Sequence, residues 1–147
     1  LVGGPHVIPL WIEALIMLKE KSIKIVKSTA DILLGGEILP LPVLRSRKRE
    51  ELPERLSLIK DCGDIRINLE IERIKKTAVK IIILVSEIKD LKPLEEIRIG
   101  LFKNELEIES YSARQGKVIF DEVELGSYLI KISQSLKDIG LIKLELI

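Results

Sequence analysis

The sequence predicts a mainly β protein, in which one long amphipathic N-terminal helix precedes an antiparallel β-sandwich of seven or eight strands. Three observations lead to this fold class. Apolar residues recur every three or four positions over residues 9–34, which is the period of one helix face. From Arg55 onward the period becomes two, which is typical of half-buried strands. The gaps between these later apolar runs are mostly much shorter than the roughly dozen residues of a parallel crossover, so antiparallel pairing is expected.

The N-terminal helix is predicted over about residues 9–34. Pro9 suits an early helical position, and Gly35-Gly36 suits a stop after the last turn. A break is expected near Ser22, because the β-branched residues that follow are poor helix formers. The apolar face of this helix would carry Trp11, Leu15, Leu18, Ile25, Ala30 and Leu33.

A change in composition and period near residue 53 predicts two parts. The segment "ILPLPVL" contains X-Pro steps, which favour an extended path, and a charged loop follows it. Residues 1–53 are therefore predicted to be the amphipathic helix and an extended connector. Residues 54–147 are predicted to be the β-sandwich.

The clearest predicted strand is "DIRINLEIE", in which apolar and polar residues alternate. The more continuous apolar run "AVKIIILVSEI" predicts a central strand. Six other segments predict strands separated by short turns: "RLSLIK", "EIRIGLF", "ELEIESYS", "GKVIFDEV", "GSYLIKIS" and "IGLIKLELI".

The segment over residues 97–132 resembles the carboxypeptidase regulatory-like or prealbumin-like β-sandwich. In that pattern Gly-x-Val-x-Phe-x-x-Val leads through a glycine turn into a strand with a tyrosine. The matching residues here are Gly116, Val118, Phe120, Val123, Gly126, Tyr128 and Ile130. The resemblance implies a prealbumin-like sandwich and no particular activity.

A longer stretch, from "LPVLRSRKREELPER" onward, resembles the region that follows the zinc-binding module of some bacterial anti-sigma-like proteins. Those proteins begin with a Cys/His cluster, which this sequence lacks. The resemblance implies a sensory or interaction segment of a bacterial regulator. Since the sequence begins with Leu1 rather than Met, we expect a processed chain or a piece of a longer one.

Bulk composition argues against several function classes. The net charge is +1 and aromatic residues make up 3%, which argues against nucleic acid as a partner. Cys62 is the only cysteine and His6 the only histidine, so neither a disulfide nor a Cys/His metal site is expected. We expect no catalytic residues, no cofactor and no integral membrane span.

The best polar cluster in the sequence is formed by Asp121, Glu122 and Glu124. Paired carboxylates can hydrolyse glycosides, and alternating acids can bind Ca²⁺. The spacing instead favours a solvated strand corner, with Phe120 and Val123 pointing inward. Cation binding by these acids is left open.

Partner-binding residues are predicted at two places. Trp11, Leu15 and Leu18 would anchor the helix on its own sandwich, on a second copy in a homo-oligomer, on a different protein or on a membrane surface. Glu105 and Glu107 would belong to an acidic ladder with Glu109, either neutralised by Lys131 or Lys117 or facing a partner.

The sequence thus predicts a non-catalytic interaction or accessory domain. The alternative is a structural subunit of a surface filament or adhesin, with its N-terminal segment packed on a neighbour. The compartment is not determined; a cytoplasmic location is favoured over the cell surface, because no signal peptide is recognisable.

Overall fold

The computed structural model describes residues 7–147, and within that range the chain forms 13 strands in two sheets and one short helix. The seven-stranded sheet contains β1 (Leu10–Leu18), β2 (Ile23–Ser28), β5 (Glu51–Leu52), β9 (Ile97–Lys103), β10 (Leu106–Ser112), β12 (Gly126–Gln134) and β13 (Lys137–Leu146). The six-stranded sheet contains β3 (Asp31–Leu34), β4 (Glu37–Leu39), β6 (Arg55–Cys62), β7 (Ile65–Lys75), β8 (Ala78–Glu87) and β11 (Lys117–Glu124). The helix α1 spans Leu41–Ser46.

The strand order defines the edges of both sheets. The seven-stranded sheet runs β10-β9-β12-β13-β1-β2-β5, and the six-stranded sheet runs β11-β8-β7-β6-β3-β4. β1 pairs in parallel with β13, whereas its other neighbour, β2, is antiparallel. The buried side chains of both sheets form one hydrophobic cluster, which includes Phe120, Ile130 and Leu144.

The predicted long N-terminal helix is wrong. Residues 10–34 form β1, β2 and β3, and the only helix in the described part of the chain is α1, six residues long. In β1 the buried residues are Ile12, Ala14 and Ile16, with a period of two. The run "WIEALIML" is apolar at nearly every position because residues on the outer side of β1, such as Trp11 and Leu15, are half-buried, and such a run satisfies both periods.

The signals taken for a break in the helix and for its end belong to hairpin turns. The amide of Lys19 bonds the carbonyl of Ser22 at 2.8 Å, which turns the chain between β1 and β2. Gly35 and Gly36 have φ of +58° and +82° and form the tight turn between β3 and β4. Pro40 is extended, as expected, but α1 begins directly after it. Pro42 lies in the first turn of α1, where a proline costs no hydrogen bond.

Each of the eight segments with a period of two lies in a strand, from β6 to β13. The prediction of a mainly β, sandwich-like protein is confirmed, but the predicted architecture is wrong, because the two sheets take five further strands from residues 10–52. β1 and β2 extend the seven-stranded sheet beyond β13, and β3 and β4 extend the six-stranded sheet beyond β6.

The two lateral sides of the molecule differ. On one side the connection from β4 to β5 carries α1, whose Leu41 and Leu44 are buried in the shared core. On the other side the chain crosses from β10 to β11, and the ring centroids of Tyr111 and Phe120 lie 5.8 Å apart. The two edge strands on this second side are β10 and β11.

Candidate functional site

The predicted helix anchors lie within the seven-stranded sheet. Trp11 packs against the core, and its indole occupies the space that a side chain at position 140 would need, which is why Gly140 stands there. Leu18 also packs against the core, and the half-buried Leu15 lies opposite Glu145 and Lys27 of the neighbouring strands. The prediction of partner binding or self-association through an N-terminal helix is therefore wrong, since no such helix carries these residues.

Glu105 and Glu107 lie at the start of the edge strand β10. Asn104 and Glu105 form the two-residue turn between β9 and β10, with φ of +51° and +66°. Glycine is the usual residue at the second of these positions, so Glu105 holds a strained backbone conformation. Glu107 lies opposite Phe102, and its carboxylate occupies space left free by Gly100.

A β-bulge changes the direction of the side chains along β10. Glu107 pairs with Phe102 and Glu109 with Leu101, so Ile108 is an extra residue on the β10 side. Glu107 and Glu109 therefore point to opposite faces of the sheet. Leu106 and Ile108, which alternation would place together on the inner face, are 72% and 53% exposed.

The three glutamates are not held in ion pairs with lysine or arginine in the described range of the chain. Neither Glu105, Glu107 nor Glu109 forms an ion pair there. Lys131, which the sequence suggested as a neighbour, lies 3.8 Å from Asp138 and has its ammonium 4.9 Å from the centroid of the Phe102 ring. These carboxylates thus have no ion-pair partner among the described residues.

Tyr111 lies between β10 and the core. Its hydroxyl donates a hydrogen bond of 2.8 Å to Glu109, and this bond, with the charge of Glu109, raises the pKa of Tyr111. The ring is 44% exposed and covers the edge of the buried Phe120 ring. β10 consequently presents three large apolar side chains and two carboxylates along one strand edge, and Glu105 in the preceding turn adds a third carboxylate.

A concavity lies beside the turn that begins β10. Its volume is about 470 Å³, and Phe102, Glu105, Leu129, Lys131 and Lys143 line it. It opens on the outer face of the seven-stranded sheet. Apolar surface is therefore available next to the edge strand as well as on it.

The acids that looked most like a catalytic cluster lie on β11 and are exposed. A bulge between Phe120 and Val123 places Asp121 and Glu122 there, and Glu122 forms an ion pair with Lys75 that raises the pKa of that lysine. Within residues 7–147 no three or more His, Cys, Asp or Glu side chains come together as metal ligands would.

Cys62, at the end of β6, is half-buried, and burial raises the pKa of its thiol. His6 lies outside the described residues, so the expectation for it stays a prediction. No helix in the described range is long and apolar enough to cross a membrane.

The pattern of the sequence did not predict that the side chains of Leu106, Ile108 and Tyr111 are exposed to solvent. Short turns were predicted between the strand segments, but no residue type marks the position of the bulge in β10. The positive φ values of Asn104 and Glu105 are visible only in the structure, so the sequence held no signal for this exposure.

Comparison of the chain with protein-family models, with curated proteins and with solved structures finds no match.

Proposed function

We propose that this chain is a non-catalytic protein-interaction domain, an accessory or regulatory segment of a longer bacterial protein. We further propose that it binds its partner through the free edge of β10. The observation that carries the proposal is the exposure of Leu106, Ile108 and Tyr111 on an edge strand that, among the described strands, pairs only with β9.

An unpaired strand edge offers a row of backbone donors and acceptors to another extended chain. β10 has seven residues, which is long enough for such an addition. It carries neither the proline nor the lysine that usually protects an edge, although its bulge disturbs the pairing near Ile108. Large apolar side chains on this edge supply the contact area that isolated exposed residues elsewhere do not.

The other three edges are less suited to strand addition. β5 has two residues and β4 has three, and both lie on the side that α1 covers. β11 has eight residues, but its exposed positions are mostly charged, with Lys117, Asp121 and Glu122 among them. β10 is therefore the edge where the apolar surface and the free backbone coincide.

The alternative, a filament or adhesin subunit whose N-terminal segment packs on a neighbour, has no observation in its favour. Residues 10–18 lie between β13 and β2 of their own chain. The family resemblance supports the proposal only as an expectation about sandwiches of this kind.

The test is an unbiased selection from a random peptide library displayed on phage, with the purified chain as target. Enriched peptides are then measured against the double variant Leu106→Ser/Ile108→Ser and against a matched control, Ile38→Ser/Ile74→Ser, which removes exposed apolar side chains from β4 and β7. We expect the first variant to lose about tenfold or more in affinity, equivalent to about 1.4 kcal/mol, and the control to bind as the wild type does. Equal binding by all three proteins, or no enrichment at all, would overturn the proposal.

A further inference from the structure

We infer that the segment which pairs with β10 is an extended stretch of another protein that carries Lys or Arg side chains on both of its faces. This inference rests on the proposed function, because it names the chemistry of the partner for the same edge. It follows from the positions of three carboxylates, from the bulge that separates them and from the charges on the remaining edges.

The carboxylates of β10 and of the turn before it carry negative charge that a partner can neutralise. Glu105, Glu107 and Glu109 form no ion pair with any of the described residues. A strand added to this edge brings its side chains within about 4.5–5.5 Å (Cβ to Cβ) of those directly opposite. At that distance opposite charges stabilise the pairing and like charges destabilise it, so the edge selects a basic segment.

The bulge in β10 places these carboxylates on both faces of the sheet. Because Ile108 is an extra residue, Glu107 lies on the outer face with Phe102, whereas Glu109 lies on the inner face with Leu101 and Tyr111. A partner strand with lysines on one face only could form an ion pair with only one of these two glutamates. A segment with a basic residue on each face, and apolar residues beside Leu106 and Ile108, matches the whole edge.

A second copy of this chain is a poor match for this edge. Pairing β10 with another β10 would bring glutamates against glutamates. β11, the other long edge, carries Asp121, Glu122 and Glu124. The remaining edges, β4 and β5, have three and two residues. Lys117 is the only cation on β11, so no described edge of a second copy carries a net positive charge, and we assign the edge to a different protein.

The test uses three synthetic ten-residue peptides in which valine alternates with a polar residue. The polar positions and one of the valine positions carry Lys in the first peptide, Gln in the second and Glu in the third. Binding of each labelled peptide to the chain is followed by fluorescence anisotropy at low and high salt. We expect the Lys peptide to bind at least about tenfold more tightly than the Glu peptide at about 50 mM salt, with a smaller difference at about 500 mM, because exposed charges are screened.

The variant Glu107→Gln/Glu109→Gln should lose this preference, whereas the matched control Asp121→Asn/Glu122→Gln on β11 should keep it. Tyr111 remains in both variants, and thermal unfolding checks that both are folded. A preference lost in the β11 control and kept in the β10 variant would overturn the inference.

Three other results also overturn it. If the Gln peptide binds β10 as tightly as the Lys peptide, the edge binds partners without regard to charge, and the proposed function stands alone. If sedimentation shows a dimer that Ile108→Lys dissociates, the occupant is a second copy. Failure of all three peptides would overturn this inference alone, since the library selection tests the proposed function without assuming a charge.

Discussion

The phenolic hydroxyl of Tyr128 donates a 2.8 Å hydrogen bond to the backbone carbonyl of Glu124, four residues earlier in the chain. This bond joins the end of β11, in one sheet, to the beginning of β12, in the other. It resembles the tyrosine corner of other β-sandwiches. Burial of the ring, with the nearby charge of Glu124, raises the pKa of Tyr128, so the hydroxyl keeps its proton at neutral pH.

Replacement of Tyr128 by Phe should lower the free energy of unfolding by about 1 kcal/mol, because the bond is lost and the ring is kept. Tyr111→Phe is the matched control: its hydroxyl bonds an exposed carboxylate, and we expect a change within about 0.5 kcal/mol. Denaturation in urea measures both. Equal losses in the two variants would show that the bond to Glu124 does not stabilise the corner.

Replacement of Gly140 by Ala should destabilise the chain by about 1–3 kcal/mol, because the added methyl group would overlap the indole of Trp11. A double-mutant cycle with Trp11→Leu checks the cause. If the two residues touch, Gly140→Ala costs less when Leu stands at position 11. Strict additivity of the two changes would contradict the packing of Trp11 against Gly140.

Replacement of Leu136 by Gly should stabilise the chain by about 0.5–1 kcal/mol. Leu136 is fully exposed and has a φ of +68° in the two-residue turn between β12 and β13, so glycine relieves strain without loss of buried surface. Gly36→Ala is the reverse case: its φ is +82° and no atom lies near the added methyl group, so it should destabilise by a similar amount. A lower melting temperature for Leu136→Gly would contradict this turn geometry.

Cys62 should react slowly with a disulfide reagent at neutral pH. Burial raises the pKa of the thiol above its ordinary value of 9.0, and the thiolate is the reactive form. The rate should therefore keep rising as the pH passes 9. Cys62→Ala supplies the blank, since no other cysteine is present. A rate at pH 7 equal to that of a free small thiol would contradict the buried position.

The later strands were predictable because their burial follows the local pattern. In β7 the buried residues Ile67, Leu69 and Ile71 alternate with polar neighbours. The corner at Gly126 and Tyr128 was recognisable from the residue types themselves. Here the period of two and the turn residues predict the same strands and the same boundaries between them.

The N-terminal strands were not predictable in this way. β1 is apolar at most positions, and its parallel partner β13 lies at the far end of the chain, so no local signal indicates the pairing. In β10 one extra residue at Ile108 reverses which side chains face outward, and the predicted acidic ladder is divided between two faces. The predicted domain boundary at residue 53 stays a prediction.

Amide hydrogen exchange of the unbound chain tests the central claim most directly, because it compares β1 with β10 in one experiment. The account predicts that amides of β1 exchange as slowly as those of β13, and that amides of β10 which do not bond β9 exchange far faster. Fast exchange throughout β1, with slow exchange at every position of β10, would contradict both the buried N-terminal strand and the free edge on which the proposed function rests.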